Sequence, residues 1–345
     1  MGTGRRREID ICKGILTVTM ILCHCIQFFG NEIEGVQKIL ADVINLATFS
    51  GFLFCFGYVS DIAYYRKEWK ESAGKMLKNA VRLLAAFYIS GIAYVAFVEQ
   101  KIFRWDFITE VLFLEKFPGW SEFLASFAVL MLVGILAYPV LKRINVWILL
   151  GGILLSGVLC WIPYENVHNS WLALLVGSGD FTTFPVLQYF VYFVWGIWMC
   201  RKDKVWSKWI MLGTIGISSP CVVFWVRHGY LPERFPLSWM FLGGGSVLVY
   251  AYYLISVGLE KNHEKCKMIS WIAAWLEKVG KSSLYYLLLS NLLIFALDGS
   301  HFSFRSEGYA YGFFVVVILV ISYLEWLREG KNKKYCEIVE ENKYG

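Results

Sequence analysis

Ten stretches of this chain are apolar for long enough to cross a lipid bilayer, and no other feature restricts its fold as strongly. A spanning helix needs roughly 20 mostly apolar residues, because each adds about 1.5 Å of rise. The stretches fall at about 10–30, 43–65, 82–98, 122–140, 146–162, 184–200, 208–226, 238–258, 282–298 and 310–327. In hydrocarbon every backbone N–H and C=O must be satisfied inside the protein, which leaves helices or a closed barrel. None of the stretches alternates in the manner of barrel strands. The expected fold is all-α, a polytopic membrane helix bundle of about ten transmembrane helices.

Composition agrees. Of 345 residues 57% are hydrophobic and only 17% charged, where a soluble domain is about a quarter charged. The 15 Trp and 20 Tyr suit the two membrane interfaces, where a ring is dry and its polar tip wet. The first stretch opens on Arg5-Arg6-Arg7 but continues through Glu8, Asp10 and Lys13 to His24, without a small-residue cleavage site. It reads as the first spanning helix, not as a cleaved signal.

Charge fixes the orientation. With the N-terminus in the cytoplasm, the inner segments hold 25 of the 33 Lys and Arg and the outer segments 7. Every inner loop is then basic, as the positive-inside rule requires, and both termini are cytoplasmic. The net charge of +6 spreads over loops beside anionic lipid head groups and implies no nucleic-acid partner. Residues 1–330 read as one domain. Residues 331–345 read as a short cytoplasmic tail of mixed charge without fixed structure.

The nine cysteines lie mostly within the apolar stretches. Cys23 and Cys25 flank His24, but neighbours one and two places along a helix point about 100° and 200° apart. They cannot converge on one ion, so packing is the expected role and no metal is expected. Cys160 and Cys221 both fall near the outer face, which leaves a disulfide open.

Ionisable residues inside the first helix carry the functional signal. Lys13 and His24 are eleven places apart, which returns to within about 20° after three turns, about 16 Å along the axis. Asp10 lies one turn before Lys13. A carboxylate and an ammonium thus stand near the cytoplasmic mouth and an imidazole near mid-membrane. Lys13 can snorkel to the interface with Asp10 as partner, or the pair can face a cavity. His24 has no interface within reach, and an imidazole at that depth is a candidate general base. His168, His228 and His301 read as solvated outer-loop residues. Glu233-Arg234-Phe235-Pro236-Leu237-Ser238 opens the eighth helix from outside, where Arg234 can hold a substrate. Gly243-Gly244-Gly245, inside a helix, reads as close helix packing.

The segment from Arg7 to His24 resembles the opening of the acyltransferase 3 family of membrane acyltransferases. Lys13-Gly14 stands where that family has an Arg-Gly pair, and His24 where it has its His. Ser50-Gly51-Phe52-Leu53-Phe54-Cys55-Phe56-Gly57-Tyr58 is similar to a Phe-rich stretch ending in Ser-Gly-Tyr, with Phe56 in place of the Ser. Of two arginines before the third helix, Arg82 matches the second; Asn79, beside Lys78, stands at the first. Gly280-Lys281-Ser282-Ser283-Leu284 is similar to a motif entering the penultimate helix. Ser290 and Asn291 stand where a His often follows. The heparan-glucosaminide N-acetyltransferase type shares this plan.

The resemblance implies acyl transfer, usually of acetyl from acetyl-CoA, to a hydroxyl of a cell-surface glycan or its precursor at the bacterial plasma membrane. It implies His24 as general base. Lys13, Lys78 and Arg82 become the cations for the CoA phosphates, and Asp10, Tyr58, Arg234, Ser290 and Asn291 further substrate contacts. The competing reading is a transporter or flippase of a glycan or lipid precursor; a purely structural membrane protein would leave the Lys13–His24 stripe unexplained.

Overall fold

The computed structural model describes residues 6–31, 34–101, 104–202, 205–300 and 304–344, with side chains described up to residue 330. The described residues form α-helices joined by short turns. In chain order these are α1 (Arg7–Phe29), α2 (Gly35–Ser60), α3 (Trp69–Phe97), α4 (Trp105–Leu112), α5 (Glu122–Leu136), α6 (Tyr138–Leu141) and α7 (Val146–Leu159). There follow α8 (Ser170–Val176), α9 (Val186–Lys202), α10 (Lys208–His228), α11 (Trp239–Asn262), α12 (Lys267–Lys281), α13 (Ser283–Asp298) and α14 (Glu307–Tyr344).

Each of the ten apolar stretches holds a helix. Among the described residues six helices are long and apolar enough to cross a membrane unaided, and a seventh span results if α12 and α13 count as one bent element. The apolar helices α5 and α7 are shorter.

Three segments differ from the sequence expectation. Helix α3 starts at Trp69, well before the expected 82. Ser72, Met76 and Ala80 recur at helical spacing and are buried, while Lys75 pairs with Glu71 one turn away at 2.6 Å. An amphipathic start of this kind carries too many charges to register as an apolar stretch. Residues 267–281, expected within an inner loop, form α12, which meets α13 at an 80° bend. Its buried face is Ala273, Leu276, Val279 and Gly280, again at helical spacing with charges between. Third, α14 continues through the tail to Tyr344, in a sequence rich in the good helix formers Glu and Lys.

Helix α1 occupies the centre and packs against α2, α11, α12, α13 and α14. Of the most apolar window, 67% is buried in α1 and in α2, against 17% in α10. Leu212, Ile215, Val222, Val223 and Val226 of α10 are accordingly exposed, a surface that only lipid covers favourably.

Two glycine pairs set the closest crossings. A Cβ on Gly14 of α1 would lie 2.0 Å from the Leu276 carbonyl oxygen of α12, and one on Gly280 of α12 would lie 1.8 Å from that of Asp10. At the α2–α9 crossing, Gly57 and Gly196 stand in the same relation to the carbonyls of Phe193 and Phe54, each at 2.0 Å. Such backbone approach tolerates no side chain. The glycines of Lys13-Gly14 and Gly280-Lys281 are thus two halves of one contact. The run Gly243-Gly244-Gly245 likewise packs against its neighbours: a Cβ on Gly244 would meet Cys221 Sγ, and one on Gly245 the Leu46 carbonyl, each at 2.5 Å.

Candidate active site

Helix α1 delivers His24 to the end of the bundle where α1 finishes. His24 stands five positions before Phe29, about 8 Å of helix. His24 therefore stands in the last third of α1, which begins at Arg7.

Asn291 of α13 meets the imidazole. Asn291 Nδ2 donates to the Trp120 carbonyl at 3.0 Å and to Ser90 Oγ at 3.1 Å. A carbonyl can only accept, so the amide orientation is settled, and Asn291 Oδ1 faces His24 Nδ1 at 3.2 Å. An amide oxygen only accepts, so Nδ1 carries the proton and donates. The neutral ring then has its lone pair on Nε2, the form a general base requires. Around this pair the network closes. Ser90 Oγ bonds Ser121 Oγ at 2.6 Å, and Trp120 Nε1 donates to Gln27 Oε1 at 2.9 Å. Trp120 holds a left-handed backbone conformation, φ 59°, at a cost of about 1–2 kcal/mol for a residue with a Cβ. Its indole and its carbonyl are both tied into the network, which offsets that strain.

Beside His24 lies a cavity of about 230 Å³. Its wall comes from the last turns of α1 (Met20, Cys23, Gln27), from α2 (Asn45, Thr48, Phe52), and from the turns entering α5, α9 and α11. Those turns contribute Trp120 and Glu122, Thr182 and Phe184, and Arg234 and Phe235. The Arg234 guanidinium lies over the Phe184 and Phe235 rings at 4.6 and 4.9 Å and donates to Asn45 Oδ1 at 3.2 Å. Both flanking contacts hold the fork in place at the wall. Glu122 is 6% exposed, and its Oε2 has no hydrogen-bond partner.

The structure brings His24, Asn291 and Arg234 of the sequence candidates to this end of the bundle. Asp10 and Lys13 lie toward the other end of α1, where they pair at 2.7 Å, and neither lines the cavity. Lys78 and Arg82 are exposed on α3. Tyr58 is buried in the core near Tyr253, ring centroids 6.3 Å apart. Ser290 Oγ bonds its own helix at the Leu287 carbonyl. Cys25 is wholly buried, and Cys160 and Cys221 are free thiols. His168 is exposed and pairs with Asp180 at 2.6 Å, His228 ends α10 against Phe224, and His301 lies outside the described residues.

Sequence reasoning missed Glu122, Asn45, Gln27 and Trp120. Glu122 left a usable signal, being the only acidic residue in the fourth apolar stretch. The others are ordinary polar residues at stretch ends, where nothing in one dimension marks them.

A polytopic helix bundle with an ionisable cavity at one end is a multi-pass membrane protein built for chemistry or transport. The family model described as an acyltransferase domain matches residues 6–326, nearly the whole chain. The chain therefore belongs to the acyltransferase 3 family, and it is an acyltransferase. That finding sets the transporter reading aside. No curated protein and no solved structure matches the chain.

Proposed function

We propose that the protein is a membrane O-acyltransferase with His24 as its general base. It moves an acyl group, acetyl by preference, from acyl-CoA to a hydroxyl of a cell-surface glycan or its precursor. The observation that carries this reading is the His24–Asn291 hydrogen bond at the edge of the cavity. It leaves the basic nitrogen of a neutral imidazole without a hydrogen-bond partner among the described residues, next to a space that a substrate hydroxyl can enter.

In the step itself, the acceptor oxygen bonds to the thioester carbonyl carbon while its proton passes to His24 Nε2. The carbon–sulfur bond then breaks, the sulfur takes the proton back from Nε2, and the products are an ester and free CoA. Asn291 keeps Nδ1 protonated throughout and stabilises the imidazolium between the two transfers.

The cavity is too small for a whole CoA molecule, and its cations are few. Lys13, Lys78 and Arg82 remain the proposed contacts for the CoA phosphates at the opposite, basic end. We place that end in the cytoplasm, with ten spans and both termini inside a bacterial plasma membrane. The 25-to-7 division of Lys and Arg supports this. Donor and acceptor then approach from opposite sides.

The test is to incubate purified protein with acetyl-labelled acetyl-CoA and an extracted glycan. Label moving to the glycan with the wild type and not with His24→Gln supports the reading. Equal transfer by both removes His24 as the base.

A further inference from the structure

Two buried polar atoms at the His24 cavity have no hydrogen-bond partner among the described residues. Oε2 of Glu122 accepts no hydrogen bond, and Nε of Arg234 donates none. Both residues line the cavity, and Glu122 is more than nine-tenths buried. An unsatisfied buried group of this kind is costly, more so when charged; others occur elsewhere, Asp42 Oδ2 and Glu325 Oε1 among them, but these two share one cavity. Two of opposite sign at one cavity point to a ligand that satisfies both.

The pair defines that ligand's chemistry. Glu122 needs a donor and Arg234 an acceptor, and hydroxyl groups are both. A phosphate or carboxylate would suit Arg234 and be repelled by Glu122; an ammonium would meet the reverse. With its two charges opposed, the cavity favours an uncharged polyol over an ion. Thr48, Asn45 and Gln27 add further groups that bond hydroxyls. Trp120 and Phe52 add aromatic faces, which pack against the C–H face of a ring. The space measures about 230 Å³. One sugar ring fits; a nucleotide with its phosphates does not.

We infer that this cavity is the acceptor pocket and takes a single uncharged hexose-sized ring. Glu122 and Arg234 hold the hydroxyls beside the one that His24 deprotonates. The inference rests on the acyl-transfer reading of His24. It adds that the donor's phosphates bind elsewhere and that Glu122, not His24, decides which acceptor is accepted.

Binding tests it without turnover. The full chain, in a detergent without a sugar head group, is unfolded by heat with methyl glucoside, methyl galactoside or methyl mannoside. Parallel samples contain methyl glucuronide, glucosamine or CoA. At least one neutral hexoside should raise the unfolding midpoint of the wild type, and raise it more than either charged sugar does. Glu122→Gln, which keeps the shape and removes the charge, should abolish that rise and leave the response to CoA unchanged. Arg234→Gln makes the same comparison should Glu122→Gln not unfold cooperatively. The inference is overturned if no neutral hexoside stabilises the wild type. It is also overturned if a charged sugar stabilises most, if the variants keep the rise, or if they lose the CoA response instead. Failure of the wild type to transfer label from acetyl-CoA would refute the catalytic reading separately and leave the binding result standing.

Discussion

The two ends of the bundle treat buried charge in opposite ways. Where α1 begins, charges are matched. Asp61 is wholly buried and lies between Arg66 and Arg201 at 2.7 and 2.8 Å. Arg201 also donates to the Leu141 and Lys142 carbonyls, which ties α2, α6 and α9 together. Arg7 bridges Glu277 of α12 and Glu260 of α11 at 2.6 and 3.1 Å. Where α1 ends, His24, Glu122 and Arg234 surround a cavity and leave polar atoms unpaired. Matched ions hold helices; in the inference above, the unmatched pair at the cavity holds a substrate. Desolvation penalises both arrangements, and only the first recovers the cost within the protein.

That contrast can be broken most sharply at His24. His24→Gln should lower turnover by a factor of about 10² to 10⁴, since an amide can hydrogen-bond but cannot take a proton. Insertion and heat stability should stay near those of the wild type. A variant with near-normal label transfer would make His24 a packing residue like Cys25.

Asn291→Ala comes next. It frees the imidazole to adopt the wrong tautomer and removes a hydrogen bond, worth about 1–3 kcal/mol, or roughly five- to 150-fold in rate. The loss should fall on kcat, with the KM for acyl-CoA unchanged. A loss confined to KM would mean that Asn291 holds substrate and not His24.

At the paired end the expected effects reverse. Asp61→Ala leaves Arg201 and Arg66 without their shared anion. Both guanidiniums reach solvent, so the cost should be about 1–3 kcal/mol, below that of a fully buried pair. It should appear as a lower unfolding midpoint with unchanged activity per folded molecule. Lost activity at full stability would give that cluster a functional part. Gly280→Ala drives a methyl into the Asp10 carbonyl and should cost about 1–3 kcal/mol by overpacking, again read by thermal unfolding. His168→Ala marks the lower limit. Its pair with Asp180 is solvent-exposed, 72% and 54%, and its loss should change stability by less than about 1 kcal/mol.

Much of the bundle was legible in one dimension because a membrane helix announces itself by length and apolarity. Segments that escaped were the amphipathic ones. The start of α3 and all of α12 bury one face and wet the other, so their mean hydropathy resembles that of a loop, and only a search at helical spacing separates the two. His24 was legible because an imidazole deep in an apolar helix has few roles open to it. Glu122 was visible as a lone acid in an apolar stretch, yet nothing in the sequence tied it to Arg234, more than a hundred residues away.

By itself the sequence determined the medium, the helical class and the single helix that carries His24, since hydrocarbon leaves a backbone no other choice. Its motif glycines were visible too, but not that Gly14 and Gly280 are two sides of one crossing. Tertiary structure alone decided which charges are paired and which face the cavity. It decided that Asn291 bonds His24 and sets its tautomer. The physical reason is distance. Hydrogen bonds and ion pairs act over about 3 Å, and packing brings His24 and Asn291 together from opposite ends of the chain. No periodicity within one helix encodes that meeting.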